Sequence, residues 1–138
     1  MELTPYLTFA GNCREAFNFY EECLGGSIAV MMTHGEVPPG MGSPAGWEHM
    51  IMHAKLDVGA ATIMGSDRPP DSIESAQGMA VSLNIVDPAE ADRIFEQLAT
   101  GGTVQMPIGE TFWAIRFGMV TDRFGIPWMV NCEAVAAE

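Results

Sequence analysis

The sequence predicts an α+β fold made of two βαβββ modules, each a small sheet with one helix. Three features predict it: an internal repeat, two amphipathic helical segments that each end at a Gly-Gly pair, and a β-hairpin pattern near the end of the chain. In the repeat, Leu83 and Phe95 stand at the same spacing as Leu7 and Phe19 of the first half. After each Gly-Gly pair come three strand-like stretches.

The first module begins with a strand at 6–9 and continues with a helix that Asn12 is predicted to cap, because Asn is a favoured N-cap residue. Glu15 stands at the capping-box position. The helix ends at Gly25, which accepts the left-handed conformation of a helix C-terminus. Its apolar stripe consists of Ala16, Phe19, Tyr20 and Leu24. Three strands are predicted to follow, at 27–34, 49–58 and 61–65.

The second module repeats this order with a strand at 82–86 and a helix that begins at Asp87-Pro88. Asp is a good N-cap residue, and Pro fits the first helical position. The apolar stripe of this helix consists of Ala91, Ile94, Phe95 and Leu98. Strands are predicted at 103–107, 112–120 and 126–130. The last two form a hairpin whose turn contains Asp122 and Gly125.

The chain is predicted to form a single domain, 1–138, because 138 residues are enough to bury one core. Within it, the first module is assigned to 1–68 and the second to 79–138. The intervening segment 69–78 opens with Pro69-Pro70 and is predicted to be a linker.

Composition excludes several classes of function. The net charge of −12, with only six basic residues, argues against nucleic-acid binding, which needs clustered cations. No apolar run is long enough for a membrane span, and the N-terminus lacks the pattern of a signal peptide. Three cysteines without framework spacing predict reduced thiols. A cytoplasmic protein is therefore expected.

Three stretches of the chain carry a family resemblance. They read TPYLTFAGNCREAFNFYEECLGG at the start, MHAKLDVGAATIMGSD in the middle, and GETFWAIRFGMVTDRFGIPWMVNC near the end. Together they resemble the PhnB-like (demethylubiquinone methyltransferase-like) branch of the glyoxalase/bleomycin resistance/dioxygenase superfamily, also called the vicinal oxygen chelate superfamily. The resemblance implies that the two modules form a cupped mixed sheet with a central ligand cleft, and that the protein is a homodimer.

Metal-using members of this superfamily hold an ion with four ligands, one from the first and one from the last strand of each module. Transferred along the matching motifs, these positions fall on Pro5, Met64, Ala80 (or Val81) and Met129. Pro, Ala and Val have no donor atom, and the Met thioether is a soft ligand that suits Cu(I). No cofactor is therefore expected. A divalent metal held by a different set, drawn from His34, His49, His53 and Glu110, stays an alternative.

Two residues are candidates for acid–base chemistry. His53 carries an imidazole, the side chain used most often for proton transfer, and Glu110 precedes the predicted strand of the hairpin motif. The alternative interpretation of His53 is a partly exposed position on a strand. On one strand, His49 and His53 would lie roughly 13 Å apart, which is too far to share an ion.

Five residues are candidates for ligand binding: Met64, Trp113, Arg116, Trp128 and Met129. Arg116 could recognise a carboxylate or phosphate, or it could pair with an acidic residue of the chain. The tryptophans could form an aromatic wall or belong to the core. Met64 and Met129, together with several of the other nine methionines, suggest an apolar cavity, because Met suits adaptable binding surfaces.

Cys13 is predicted to lie in the first turn of its helix, where the dipole lowers the pKa of a thiol. A buried, inert thiol is the other interpretation.

Two functions follow from these observations. The first is a protein that binds a small, largely apolar organic ligand without the superfamily metal centre. The second is a metal-dependent lyase, isomerase or dioxygenase with a non-standard ligand set, or an enzyme that uses metal-free acid–base chemistry. A methyltransferase is disfavoured because no Gly-rich turn of a doubly wound sheet is present.

Overall fold

The chain folds into two units, Met1–Glu74 and Ser75–Glu138, and each contains a four-stranded mixed sheet and one longer helix. The computed structural model describes residues 1–38, 40, 43–72 and 74–133. The predicted α+β fold of two βαβββ modules is confirmed. The division between the units falls inside the segment 69–78 that was predicted to be a linker.

The first unit follows the βαβββ order. Its elements are β1 (Tyr6–Phe9), α1 (Cys13–Leu24), β2 (Ser27–Thr33), β3 (Ile51–Val58) and β4 (Ala61–Asp67). The strand order in the sheet is β1-β4-β3-β2, with β1 parallel to β4 and the other neighbours antiparallel. A short 3-10 helix, His34–Glu36, follows β2, and a second, Pro70–Ser72, follows β4.

The second unit repeats this topology. Its elements are β5 (Val81–Asn84), α2 (Pro88–Ala99), β6 (Thr103–Gly109), β7 (Ala114–Thr121) and β8 (Pro127–Glu133). The strand order is β5-β8-β7-β6, and β5 is parallel to β8. The shared topology explains the internal repeat of the sequence.

The two helices pack one face each against their sheets. In α2 the predicted stripe is correct, because Ala91, Ile94, Phe95 and Leu98 are all buried. In α1 the prediction is partly wrong, since Phe17 is buried while Phe19 and Leu24 are only half-buried. The buried residues of α1 are Cys13, Ala16, Phe17, Tyr20 and Cys23.

A buried carboxylate, not Asn12, caps the start of α1. The side chain of Asn12 makes no capping hydrogen bond, and the backbone amide of Cys13 donates to Asp67 Oδ1 at 2.9 Å. Asp67 Oδ2 accepts from the amide of Ile51 at 2.8 Å. The side chain of Asp67 at the end of β4 thus ties the helix to β3. In α2, Asp87 caps as predicted by accepting from the amide of Ala89.

A second buried carboxylate, Asp122, builds the predicted hairpin turn between β7 and β8. Its Oδ1 accepts from the amides of Phe124 and Ile126, and its Oδ2 accepts from Trp128 Nε1 at 2.8 Å. These bonds satisfy a carboxylate that is only 3% exposed.

Two predicted strands begin later than expected. β3 starts at Ile51, so His49 lies in a turn before the strand. β7 starts at Ala114, so Phe112 and Trp113 lie in the loop after β6. Thr111 closes that loop, because its hydroxyl accepts from the amide of Ala114 and its own amide donates to the Ala114 carbonyl.

Candidate functional site

The side of the first sheet that faces away from α1 carries a mixed set of polar and apolar side chains. Gly65 identifies the two sides, because a Cβ atom there would lie 2.8 Å from Cε1 of Phe17 in the helix. Side chains alternate along a strand, so Met64 and Ser66 point the other way. With their cross-strand neighbours they define the first helix-free face: Tyr6, Thr8, Val30, Met32, His53, Lys55, Met64 and Ser66.

An aromatic pair lies on this face. The rings of Tyr6 and His53 stack with centroids 6.1 Å apart and an interplanar angle of 21°. His53 is half-buried and pairs with Met32 of β2, whereas Tyr6 is 49% exposed. Tyr6 belongs to β1 and His53 to β3, so the pair spans the intervening strand β4. His53, a predicted acid–base residue, therefore has an aromatic partner and access to solvent.

The corresponding side of the second sheet is richer in methionine. A Cβ atom on Gly118 would lie 2.6 Å from Phe95 of α2, so Gly118 and its partner Val130 face the helix. The strand residues next to Gly118 and Val130 point away from α2. They define the second helix-free face: Ser82, Asn84, Met106, Phe117, Met119, Met129 and Asn131. The ring of Trp113 contacts Phe117 with centroids 5.3 Å apart.

Asn131 carries an unsatisfied polar atom on this second face. Its Nδ2 donates to Asn84 Oδ1 at 3.2 Å, while its Oδ1 is buried and has no hydrogen-bond partner in the described part of the chain. A buried acceptor without a donor costs stability, about 1–3 kcal/mol. Such atoms merit a functional explanation, and the sequence alone gave no signal for this one.

Two of the predicted ligand-binding residues have structural partners instead. Arg116 Nε donates to Asp92 Oδ1 of α2 at 3.0 Å, so its side chain is on the helix side of the sheet. Trp128 is 1% exposed and bonded to Asp122. In both cases the structure corresponds to the alternative interpretation, an ion pair for Arg116 and a core position for Trp128. Trp113, at 46% exposure, remains accessible.

The strand register gives the cross-strand partners of the positions that the resemblance assigned to metal ligands. Met64 pairs with Tyr6, while Pro5 precedes β1 and only its carbonyl accepts from the Met64 amide. Met129 pairs with Ser82, not with Ala80 or Val81. The cross-strand partners of the two methionines are therefore Tyr6 and Ser82.

The donor atoms at these positions do not suit the superfamily's divalent metal. Met64 and Met129 offer soft thioethers, and Pro5, Ala80 and Val81 have no side-chain donor. The cross-strand partners Tyr6 and Ser82 add only hydroxyl groups. Within residues 1–38, 40, 43–72 and 74–133, no three His, Cys, Asp or Glu side chains converge in a way that could hold an ion.

The four residues considered as an alternative set of metal ligands lie in different parts of the fold. His34 begins the 3-10 helix, where its Nδ1 lies 3.1 Å from Ser43 Oγ and its ring meets Trp47 edge-on. His49 is exposed in a turn, and Glu110 is exposed in the loop after β6. His53 alone of these four is on the first helix-free face.

Cys13 is buried, which agrees with the interpretation of an inert structural thiol, and its pKa is raised although it lies in the first turn of α1. Burial and, to a smaller extent, the neighbouring Asp67 carboxylate raise the pKa of the thiol to about 12, while Arg14 acts in the other direction. Desolvation of the thiolate thus outweighs the helix dipole. Cys13 is a core residue, not a reactive nucleophile.

A groove of about 520 Å³ at the start of α1 is a feature that sequence reasoning missed. Asn12, Arg14, Thr33 and His49 are among its lining residues. At its base, Asp67 is already bonded to two backbone amides. The groove therefore offers mainly exposed polar side chains, and the helix-free faces are the stronger candidate site.

Comparison with known proteins assigns the fold to a family. Residues 3–130 match the family model described as Glyoxalase/Bleomycin resistance protein/Dioxygenase superfamily, and the chain belongs to that superfamily. It is 38% identical over 139 residues to Protein YjdN of Escherichia coli (strain K12), with 95% of each chain covered.

Two solved structures resemble it closely. Protein PA1353 from Pseudomonas aeruginosa shares 51% identity at a TM-score of 0.88, covering 96% of this chain and 98% of that one. A putative 3-demethylubiquinone-9 3-methyltransferase, PhnB protein, from Bacillus cereus shares 25% identity at a TM-score of 0.79, covering 96% and 99%. The PhnB-like resemblance is confirmed. In the described residues, no helix has the length and apolar character needed to cross a membrane.

Proposed function

We propose that this protein binds a small, largely apolar organic ligand on the helix-free faces of its sheets, without the superfamily metal centre. One observation carries the proposal. In both units the last strand presents a methionine, Met64 or Met129, at the position where the superfamily resemblance implies a metal ligand. A pair of thioethers favours contact with apolar and aromatic groups over hard cations.

The neighbours of these methionines support the same interpretation. In the second unit, Met129 lies beside Met119, whose other neighbour across the sheet is Met106. Trp113 and Phe117 add two aromatic rings in contact with each other. Methionine is unbranched and flexible, so a surface rich in it adapts to ligands of different shape.

An enzymatic role is the second candidate, and the stacked pair of Tyr6 and His53 favours it. An imidazole with access to solvent could transfer a proton to or from a bound ligand, as in a metal-free isomerase or lyase. A metal-dependent lyase, isomerase or dioxygenase would need ligands from outside the Tyr6, Met64, Ser82 and Met129 set. Glu110, the other predicted acid–base residue, lies in the second unit, in the exposed loop after β6.

The methyltransferase description of the Bacillus cereus relative is not part of this proposal. A doubly wound sheet binds its cofactor at a Gly-rich turn between a strand and a helix. In this chain the strand–helix connections lead from β1 to Asn12 and from β5 to Asp87, with a single glycine in the first.

A homodimer in the cytoplasm is proposed as the state in which the protein works. Superfamily members are often dimers, and Phe112 is 97% exposed at the tip of the loop between β6 and β7. Three free cysteines fit a reducing compartment. Sedimentation of the purified protein at micromolar concentration tests the dimer, and a single monomeric species would contradict it.

The ligand-binding proposal is tested by nuclear magnetic resonance of protein carrying ¹³C-labelled methionine methyl groups. Fragments of one or two aromatic rings are added one at a time, and the eleven methionine signals are followed. We expect signals of Met64 or Met129, assigned with Met64→Leu and Met129→Leu variants, to shift in a saturable way. Met1, which is fully exposed, is the internal control. Shifts in neither Met64 nor Met129 across the fragment set would contradict the proposal.

A further inference from the structure

Lys55 stands on the first helix-free face as a cation that has no acidic partner among the described residues. It is the only lysine of the chain, it is half-buried, and it pairs with Val30 on one side and Met64 on the other. We propose that the ligand of this face carries a carboxylate or a related oxyanion, and that Lys55 binds it. The inference rests on the proposed function and specifies the chemical class of its ligand.

The other cations of the chain provide the contrast. Arg93 pairs with Glu90 and Gln97, and Arg116 pairs with Asp92. Arg123 lies over the ring of Phe124. Arg14 and Arg68 are exposed. Lys55 is the half-buried cation of the described residues that lacks an ion pair, although acidic residues outnumber basic ones by eighteen to six.

The nearest acidic residue on the same strand and face has another partner. Asp57 lies two residues beyond Lys55 on β3, and its Oδ1 accepts from the hydroxyl of Thr62 at 3.0 Å. It forms no ion pair with Lys55. A lysine stem can lie along apolar neighbours while its charge reaches solvent, and this is the simplest alternative to a binding role. The polar groups around Lys55 favour the binding role.

Those groups form a set that suits an anionic aromatic compound. His53 lies two residues before Lys55 on the same face, and its ring stacks on Tyr6. Thr8 and Ser66, which pair with each other across β1 and β4, add two hydroxyl donors. Lys55 with these hydroxyls would hold an oxyanion, while the Tyr6 ring and the Met64 thioether would contact the apolar part.

The overall charge makes a local cation necessary for such a ligand. At −12 the protein repels small anions at long range, so an anion binds only where a nearby positive charge compensates. The ammonium group of Lys55, which lies between Val30 and Met64 in the sheet, supplies that compensating charge at short range. This attraction should weaken with added salt less than an exposed ion pair would, since Lys55 is half-buried.

The experiment compares two probes of nearly the same shape, anionic naphthalene-2-carboxylate and neutral naphthalene-2-carboxamide, in which an NH2 group replaces one oxygen. Each is titrated into the full chain with labelled methionine methyl groups, and the Met64 signal gives the dissociation constant. We expect the carboxylate to bind about tenfold more tightly than the amide, as a charge-assisted hydrogen bond would provide. Lys55→Met should weaken carboxylate binding about tenfold and change amide binding less than about twofold.

Two further variants control for folding and for net charge. Lys55→Arg keeps the charge and should keep the preference for the carboxylate. Arg93→Gln removes one positive charge at a side chain that is 49% exposed in the second unit, and it should leave both constants unchanged. Unaltered methionine signals elsewhere would establish that each variant folds.

The outcomes separate this inference from the proposed function. Equal binding of both probes at Met64, or an unchanged carboxylate constant in Lys55→Met, would overturn the anion inference and leave the apolar-ligand proposal standing. Binding of neither probe at Met64 would overturn the inference as well, and the wider fragment set would then decide the proposed function.

Discussion

The two units have the same strand order but present different chemistry on their helix-free faces. The first face combines a stacked Tyr6 and His53 with a cation, Lys55. The second is built from methionines with one amide pair, Asn84 and Asn131. The backbone of the module is thus repeated while the exposed chemistry has diverged. The first face therefore suits a ligand with a charged group, and the second suits an apolar one.

The units also differ in how a buried carboxylate is used. In the first unit, Asp67 joins the start of α1 to β3. In the second, Asp122 joins the turn of a hairpin to the indole of Trp128. The bonds named here lie inside one unit for each carboxylate, so each can be tested separately.

Removal of these carboxylates should have the largest effect on stability. Asp122→Ala leaves three N–H donors without their acceptor and should cost about 4 kcal/mol, whereas Asp67→Ala leaves two and should cost about 3 kcal/mol. Urea denaturation followed by tryptophan fluorescence measures both. Asp71→Ala, at an exposed position, is the control and should change the free energy of unfolding by less than about 0.5 kcal/mol. Equal stability of all three variants would contradict the assigned roles.

The close approach of each helix to its sheet should give the next largest effect. A Cβ atom on Gly65 would lie 2.8 Å from Phe17, and one on Gly118 would lie 2.6 Å from Phe95. Gly65→Ala and Gly118→Ala should each lower the free energy of unfolding by about 2 kcal/mol, because the packed neighbours must shift. Gly109→Ala has open space for its methyl group and is the matched control. A thermal unfolding midpoint that does not fall in either variant would show that the helices can move apart at little cost.

Replacement of Asn131 should have a smaller effect and the opposite sign. Asn131→Leu removes the unsatisfied Oδ1 and should raise the free energy of unfolding by about 1 kcal/mol. If the amide is retained for binding, the same change should weaken the response of Met129 to polar fragments. Calorimetry gives the first quantity and the methionine signals give the second. Asn18→Leu, at an exposed site on α1, is the comparison. Destabilisation by Asn131→Leu would mean that its amide is satisfied in solution.

Much of the fold could be predicted because it depends on local patterns. The Asp87-Pro88 start of α2, its apolar stripe and the Asp122 turn depend on neighbouring residues, and all are present in the structure. The stripe of α1 was harder to predict, since Phe17 and Phe19 are equally apolar. Phe17 is the buried one because it packs against Gly65 of β4. The capping of α1 by Asp67 could not be read from sequence because 54 positions separate Asp67 from Cys13.

The candidate site depended more on long-range contacts and was predicted less well. Arg116 was a reasonable anion-binding residue until its partner Asp92, on α2, was known. Lys55 was not among the predicted site residues, because only the sheet register reveals its apolar neighbours Val30 and Met64. Tyr6 was not predicted as a site residue, because its stacking on His53 crosses from β1 to β3.

The central claim is that the two faces bind an organic ligand without the superfamily metal centre. The most direct test is the metal content of untagged protein, measured by mass spectrometry after dialysis against Mn²⁺, Fe²⁺, Ni²⁺ and Zn²⁺ and subsequent desalting. We predict that well under one ion per chain is retained, because Met64 and Met129 cannot hold a hard cation. Retention of about one ion per chain in wild type, and its loss in a His53→Ala variant, would contradict the claim and establish a metal site that includes His53.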